Sequence, residues 1–328
     1  MPVKPIRFSF IILIITAFLL PSLAPMEALA STHHHKKNHH HHHYSSRVSP
    51  LHFSELAVDG DNGRVIYSKN ASTVSYPASL TKMMTLYLTF DALKKGKLKL
   101  DQTLIVSSKA ARQPQTNIAL EKGDRLPVRI AIESIVVRSA NDSAMTLGEA
   151  LGKTEWNFAL MMTKKARELG MKNTVFRNPS GLPDRGQHTT AFDMARLAIA
   201  LRRDFPEYYH FFSMQSFDYD GVTYPGHNHV MERYPDMVDG VKTGYIRASG
   251  YNLVTSAHRD GHSVVAVIMG GRTSESRDDQ MVSLLDHTFD HWSAHKRLAD
   301  DENVSPDEVN EAEDTRDDNQ PIQTAQGN

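Results

Sequence analysis

Cysteine is absent from all 328 residues. That excludes a disulfide framework, a thiol nucleophile and a zinc–thiolate site, though it assigns no compartment. Net charge is close to absent too, at -1, so the composition calls for no nucleic-acid partner. After the N-terminus no apolar run reaches the length of a membrane-spanning helix. The acidic turn Asp59-Gly-Asp-Asn-Gly63 begins like a calcium loop, but its twelfth position is Asn70, where an EF-hand needs glutamate. No cofactor and no catalytic metal is expected. What remains is ordinary globular composition, 40% hydrophobic and 23% charged, enough for one large or two medium domains.

The first 30 residues read as a secretory signal peptide. Lys4 and Arg7 give a short positive region, Ile6 to Leu20 an apolar run, and Ala28-Leu29-Ala30 a small-x-small cleavage signature. The rest of the chain is then exported, to the periplasm or cell envelope. The alternative is an uncleaved anchor, and N-terminal or peripheral association is the form any membrane contact would take. Residues 31–50 carry His33 to His35 and His39 to His43, and a disordered linker is expected there. Such a tract can bind divalent metal loosely, but a solvated linker is the simpler reading. A folded domain is expected over 51–297. An acidic, aromatic-free, disordered tail is expected over 298–328.

Within the domain, Phe53–Val58 and Arg64–Ser68 flank turn residues and read as a β-hairpin. A helix enters at Pro77-Ala78 and runs from Ser79 to about Lys95. Met83, Met84, Leu86, Tyr87, Phe90 and Leu93 make it apolar on most sides, hence buried. Residues 96–128 read as short strands and loops. A helix over Val128–Val137 breaks at Ser139-Ala-Asn141 and resumes through Leu151. Trp156–Leu169 and Thr190–Arg202 read as helices, with a loop at Asn178–Asp184 between them. Met237–Thr243, Tyr251–Ala257 and Ser263–Met269 read as strands, the last two a hairpin around Arg259-Asp-Gly-His262. A helix follows from about Arg277 to Lys296. The fold class is α+β: one antiparallel sheet covered by helices, with an inserted helical lobe.

Three short motifs carry the chemistry. Ser79 and Lys82 are three residues apart, so a helix puts them side by side. A lysine whose pKa is lowered by burial and nearby charge can take the proton of a serine hydroxyl. The helix N-terminus favours negative charge growing near Ser79. The spacing alone is cheap, since Ser293-Ala-His-Lys296 repeats it. Ser139-Ala-Asn141 is matched by Ser68-Lys-Asn70. Lys242-Thr243-Gly244 occurs once. The ordered set of three, in the contexts of helix start, interhelical break and strand, is what discriminates. Ser180 lacks the G-x-S-x-G elbow and is not taken as a nucleophile.

The set resembles the serine D-alanyl-D-alanine carboxypeptidases, the low-molecular-weight penicillin-binding proteins, from about Phe53 to Trp292. Asn178-Pro-Ser-Gly-Leu, Thr190-Ala-Phe-Asp-Met-Ala, Gly250-Tyr-Asn-Leu-Val and Met269-Gly-Gly-Arg-Thr also resemble family segments. The resemblance implies the β-lactamase/DD-peptidase (transpeptidase-like) fold. It implies Ser79 as nucleophile, Lys82 as base, and Ser139 with Lys242 relaying a proton to the departing D-alanine. It implies that Asn141 holds the substrate amide and that the N–H groups of Ser79 and Tyr245 form the oxyanion hole. Lys242, Thr243 and Gly244 would lie beside the substrate, and Arg277 would grip its terminal carboxylate. The implied partners are peptidoglycan stem peptides, with β-lactams as covalent inhibitors.

Departures from the pattern narrow the reading. The middle motif is S-A-N rather than the S-D-N of β-lactamases. No E-x-x-L-N occurs, so a deacylating glutamate of the class A β-lactamase kind has no candidate. Larger family members carry a β-rich second domain and a C-terminal amphipathic helix. Only a short acidic stretch follows Trp292, so neither is expected. That keeps a DD-endopeptidase, which cuts cross-links, as the alternative activity. A catalytically silent wall-binding protein is the reading from another class, and the full set of reactive groups argues against it.

Overall fold

The computed structural model describes residues 52–300. The expected signal segment and histidine-rich linker lie outside the described residues, as does the acidic stretch beyond Asp300.

Strands β1 (Ser54–Asp59) and β2 (Val65–Lys69) form the expected hairpin. Its turn uses the acidic residues internally: Asp59 accepts from the backbone N–H groups of Asp61 and Asn62 at 2.9 and 3.1 Å. This is turn capping by an aspartate. A 3₁₀ turn at Ala78–Leu80 leads into helix α1 (Thr81–Lys94). Ser79 therefore precedes the α-helix proper instead of opening it, because Ala78, at φ 48°, interrupts helical geometry. Twelve of the fourteen α1 residues are buried, as its all-round apolar sequence predicts. Phe90 packs among Phe205, Tyr208, Phe211 and Phe212.

The inserted lobe begins with β3 (Thr103–Ile105), a short helix α2 (Ser108–Ala111) and β4 (Arg125–Pro127), which pairs with β3. Helices α3 (Val128–Arg138), α4 (Asn141–Gly152), α5 (Glu155–Glu168) and α6 (Ala191–Asp204) follow. Thr154 and Thr190 cap α5 and α6 through their hydroxyls. Then come α7 (Pro206–Tyr209), the hairpin β5 (Ser216–Tyr219) and β6 (Val222–Pro225), and α8 (His229–Arg233). The sequence reading did not separate α2, α7, β5, β6 and α8. The Asp220-Gly221 turn between β5 and β6, both residues at positive φ, was nevertheless a visible hairpin signal.

Strands β7 (Val238–Ile246), β8 (Gly250–Arg259) and β9 (His262–Gly271) complete a five-stranded antiparallel sheet of order β2-β1-β9-β8-β7. Alternate strand residues feed two cores. Val58, Val241, Val254, Val265 and Val267 join α1, α3, α4 and α6. Leu253, Ala257, Val264, Ala266 and Ile268 face the last helix, α9 (Ser274–Asp300), and meet Met281, Leu285 and Phe289. α9 extends past Lys296 to Asp300, since no glycine or proline interrupts its sequence. It also starts three residues before Arg277, which places Arg277 within its first turn.

Candidate active site

The Ser79 turn is fixed from two sides. On one side lies the 178–184 loop. A Cβ on Gly181, which has φ +87°, would stand 1.8 Å from the Ala78 carbonyl oxygen, so only glycine lets the loop backbone come this close. On the other side lies β7, where a Cβ on Gly244 would stand 3.0 Å from the Ser79 nitrogen. Asn252 of β8 ties the turn to the sheet. Its amide donates to the Tyr76 and Pro77 carbonyls at 3.2 and 3.4 Å, and its carbonyl accepts from Gly270 N at 3.0 Å.

Lys82 is fully buried one turn into α1, with Nζ 2.9 Å from Ser79 Oγ. It donates a second hydrogen bond to the Ser180 carbonyl at 2.6 Å. The loop that encloses Ser79 thus also holds the amine beside it. Burial pushes the Lys82 amine well below the ordinary lysine range. The Lys242 charge adds to this, and Asp142 acts in the opposite direction. Lys242 is itself pushed down to about 7, by burial and then by Arg277. Its Nζ donates to the Thr243 carbonyl at 3.1 Å.

The α3–α4 break supplies the next groups. Ser139 adopts left-handed geometry, φ 58° and ψ 35°, uncommon for a residue with a side chain. The 114–120 loop holds it there. Thr116 donates to the Ser139 carbonyl at 2.8 Å, and Asn141 N donates to the Thr116 carbonyl at 2.7 Å. Buried Asp142 accepts from the N–H groups of Ile118 and Leu120 at 3.1 and 3.2 Å. Burial raises its pKa against these hydrogen bonds. Ser139 Oγ is buried without a hydrogen-bond partner. Asn141 Nδ2 donates to the Pro114 carbonyl at 2.9 Å.

These elements enclose a cleft of about 400 Å³. Ser79, Ser139, Asn141, Thr243, Gly244, Tyr245 and Arg277 line it. Lys82 and Lys242 do not: Lys82 stands beneath Ser79, and Lys242 lines a separate small cavity of about 20 Å³ with Thr243 and His227. Arg277 is buried and paired with Asp278, donating to its Oδ1 from Nε and Nη2 at 2.9 and 2.6 Å. Its positive charge at the cleft is thus partly balanced from behind. Among the described residues no carboxylate lines the cleft. Among the described residues there is no cluster of three or more metal-ligating side chains.

Three participants escaped the sequence reading: the Ser180 carbonyl, Asn252 and His227. The first two lie in segments already quoted as resembling the family, Asn178-Pro-Ser-Gly-Leu and Gly250-Tyr-Asn-Leu-Val, which was the available signal. His227 lines both cavities. Burial, with Lys242, Arg138 and Arg277 nearby, lowers its pKa to about 3, so its imidazole is neutral.

The arrangement can deliver a serine oxygen to an electrophile, take its proton on a buried amine of lowered pKa and attract an anionic substrate. Residues 51–273 match the family model described as D-alanyl-D-alanine carboxypeptidase. D-alanyl-D-alanine carboxypeptidase DacF of Bacillus subtilis is 35% identical over 74% of this chain and 63% of its own length. The chain thus spans about three fifths of the length of such curated relatives. Penicillin binding protein 5 from Haemophilus influenzae superposes with a TM-score of 0.70 at 32% identity, over 72% of this chain and 70% of that one. A D-alanyl-D-alanine endopeptidase of Pseudomonas aeruginosa is 28% identical over 69% of this chain and 74% of its own length.

Proposed function

The chain belongs to the D-alanyl-D-alanine carboxypeptidase family, and from this we propose that it is a serine DD-carboxypeptidase acting on peptidoglycan stem peptides. The observation that carries the reading is the fully buried Lys82 amine, 2.9 Å from Ser79 Oγ and depressed in pKa. A neutral amine keeps one N–H on the Ser180 carbonyl and turns its lone pair to the Ser79 hydroxyl. Ser79 Oγ attacks the carbonyl between the two D-alanines as its proton passes to Lys82. The backbone N–H groups of Ser79 and Tyr245 receive the developing oxyanion, a device worth several kcal/mol. Ser139, its hydroxyl otherwise unpartnered, carries a proton to the departing D-alanine amine, with Lys242 behind it. Water then releases the acyl group by the reverse steps.

Asn141 holds the substrate amide and Thr243 lies beside the terminal carboxylate. Arg277 presents the guanidinium face left free by Asp278, and a planar fork suits a carboxylate. Recognition of that free terminus favours a carboxypeptidase over the endopeptidase reading, in which the same chemistry acts on a cross-link. β-Lactams acylate Ser79 and leave slowly, since no glutamate lines the cleft among the described residues. Residues 1–30 direct export, and the enzyme works in the periplasm or cell envelope.

Digestion of purified muropeptides, following free D-alanine and cross-linked dimers together, tests the assignment. Release of D-alanine with dimers untouched is expected, and loss of dimers first would select the endopeptidase. Labelled penicillin forms a stable adduct that Ser79→Ala removes, and an adduct surviving that substitution defeats the nucleophile assignment.

A further inference from the structure

Helix α5 exposes a row of large apolar side chains that its packing does not require. Phe158, Ala159, Met162 and Ala166 point inward. Trp156, Leu160 and Met161 point outward, 59%, 50% and 39% exposed. Trp156 and Leu160 share one helix face, being four residues apart, and Met161 flanks Leu160 on the adjoining side. Exposed Lys153 precedes this row and exposed Lys164 follows it one turn after Leu160. Neither lysine forms a salt bridge among the described residues. The helix carboxylates are committed to other lysines, Glu155 to Lys109 and Glu168 to Lys165. The face is therefore apolar in its middle and cationic at both ends.

We infer that this face is a docking surface for the headgroup region of an anionic lipid bilayer. A tryptophan flanked by leucine, methionine and lysines is the composition that settles at such a boundary, with the rings and aliphatic chains sunk and the ammonium groups at the phosphates. Charge complementarity favours this occupant over a second copy of the chain, which would bring the Lys153 and Lys164 of two faces together. The placement leaves the cleft free. The start of α5 packs on the end of α4, where a Cβ on Gly152 would meet Phe158 at 2.6 Å. Asn141, which lines the cleft, opens the other end of α4. Asn141 and Gly152 stand at opposite ends of the twelve-residue α4, about 16 Å apart. The inference is independent of the proposed activity.

The sequence has two tryptophans, and Trp292 is almost fully buried. The difference in emission between the full chain and Trp156→Phe therefore reports Trp156. With vesicles of phosphatidylglycerol and phosphatidylcholine, that difference spectrum is expected to shift to the blue and to be quenched by brominated phosphatidylglycerol. Partition of Trp156 should weaken at least about tenfold in Lys153→Glu/Lys164→Glu, given the attraction of each lysine to an anionic surface. Because Trp156 itself is read, vesicle binding through the N-terminal segment does not mimic the result. A Trp156 that stays water-exposed on vesicles overturns the inference. So does an emission shift that tracks dimer formation in sedimentation without lipid, or one produced by isolated peptidoglycan and not by vesicles.

Discussion

Two buried lysines are the most expensive residues in the site: burial lowers the pKa of both, with the Lys242 charge adding to the shift of Lys82 and the Arg277 charge to that of Lys242. Lys242 titrates at about 7 in the fold against 10.5 ordinarily. Between those values the unfolded chain binds the extra proton, so the Lys242 contribution to stability rises with pH. Below about pH 7 the full cost of a buried ammonium is present. Lys242→Met should stabilise the fold at pH 7 by roughly 3–5 kcal/mol, seen as a higher midpoint of thermal unfolding, while abolishing D-alanine release. The gain should shrink as pH approaches 10.5; calorimetry across pH checks both statements. Lys82 gives a kinetic counterpart. It must be neutral to accept the Ser79 proton, so penicillin acylation falls as pH drops through its lowered pKa. Lys242→Met removes the Lys242 charge that also depresses Lys82. The acid limb of its residual acylation should therefore move to higher pH. A limb that stays in place would show that Lys82 is not the titrating base.

Three elements meet at Ser79, and their fit depends on absent side chains. In Gly181→Ala a methyl would collide with the Ala78 carbonyl at positive φ. The expected cost is about 1–3 kcal/mol, with penicillin acylation slowed more than the folded fraction accounts for. An acylation loss equal to the loss of folded protein would limit Gly181 to stability. Much of this meeting was legible beforehand: the β1–β2 and β8–β9 hairpins, α1, the α3–α4 break and β7 follow from turn residues and apolar periodicity. The Ser180 carbonyl was not, because a backbone acceptor leaves no mark in residue type. Nor was the Arg277–Asp278 pair legible as such, since adjacent opposite charges read as an ordinary helix surface. Ser79 in a 3₁₀ turn was missed because a left-handed Ala78 goes against that residue's preference.

At the scale of the whole described domain, the sheet separates two cores of different duty. The face towards α1, α3 and α4 carries Ser79, Lys82 and Ser139, and the face towards α9 carries mostly packing. Leu285→Ala on α9 should cost about 2–5 kcal/mol, since Leu285 is fully buried. The turnover of the remaining folded enzyme at low temperature should change little. Measured kcat falling in step with stability would mean that α9 transmits strain to Arg277 in its first turn. The order β2-β1-β9-β8-β7 sets the earliest strand beside the last one. A nascent chain therefore presents its serine long before it owns the partner strand that closes the sheet behind it. A chain ending before His262 lacks β9, so it is expected to form no adduct with labelled penicillin, and any acyl-transfer chemistry would wait until almost all of the described domain has emerged.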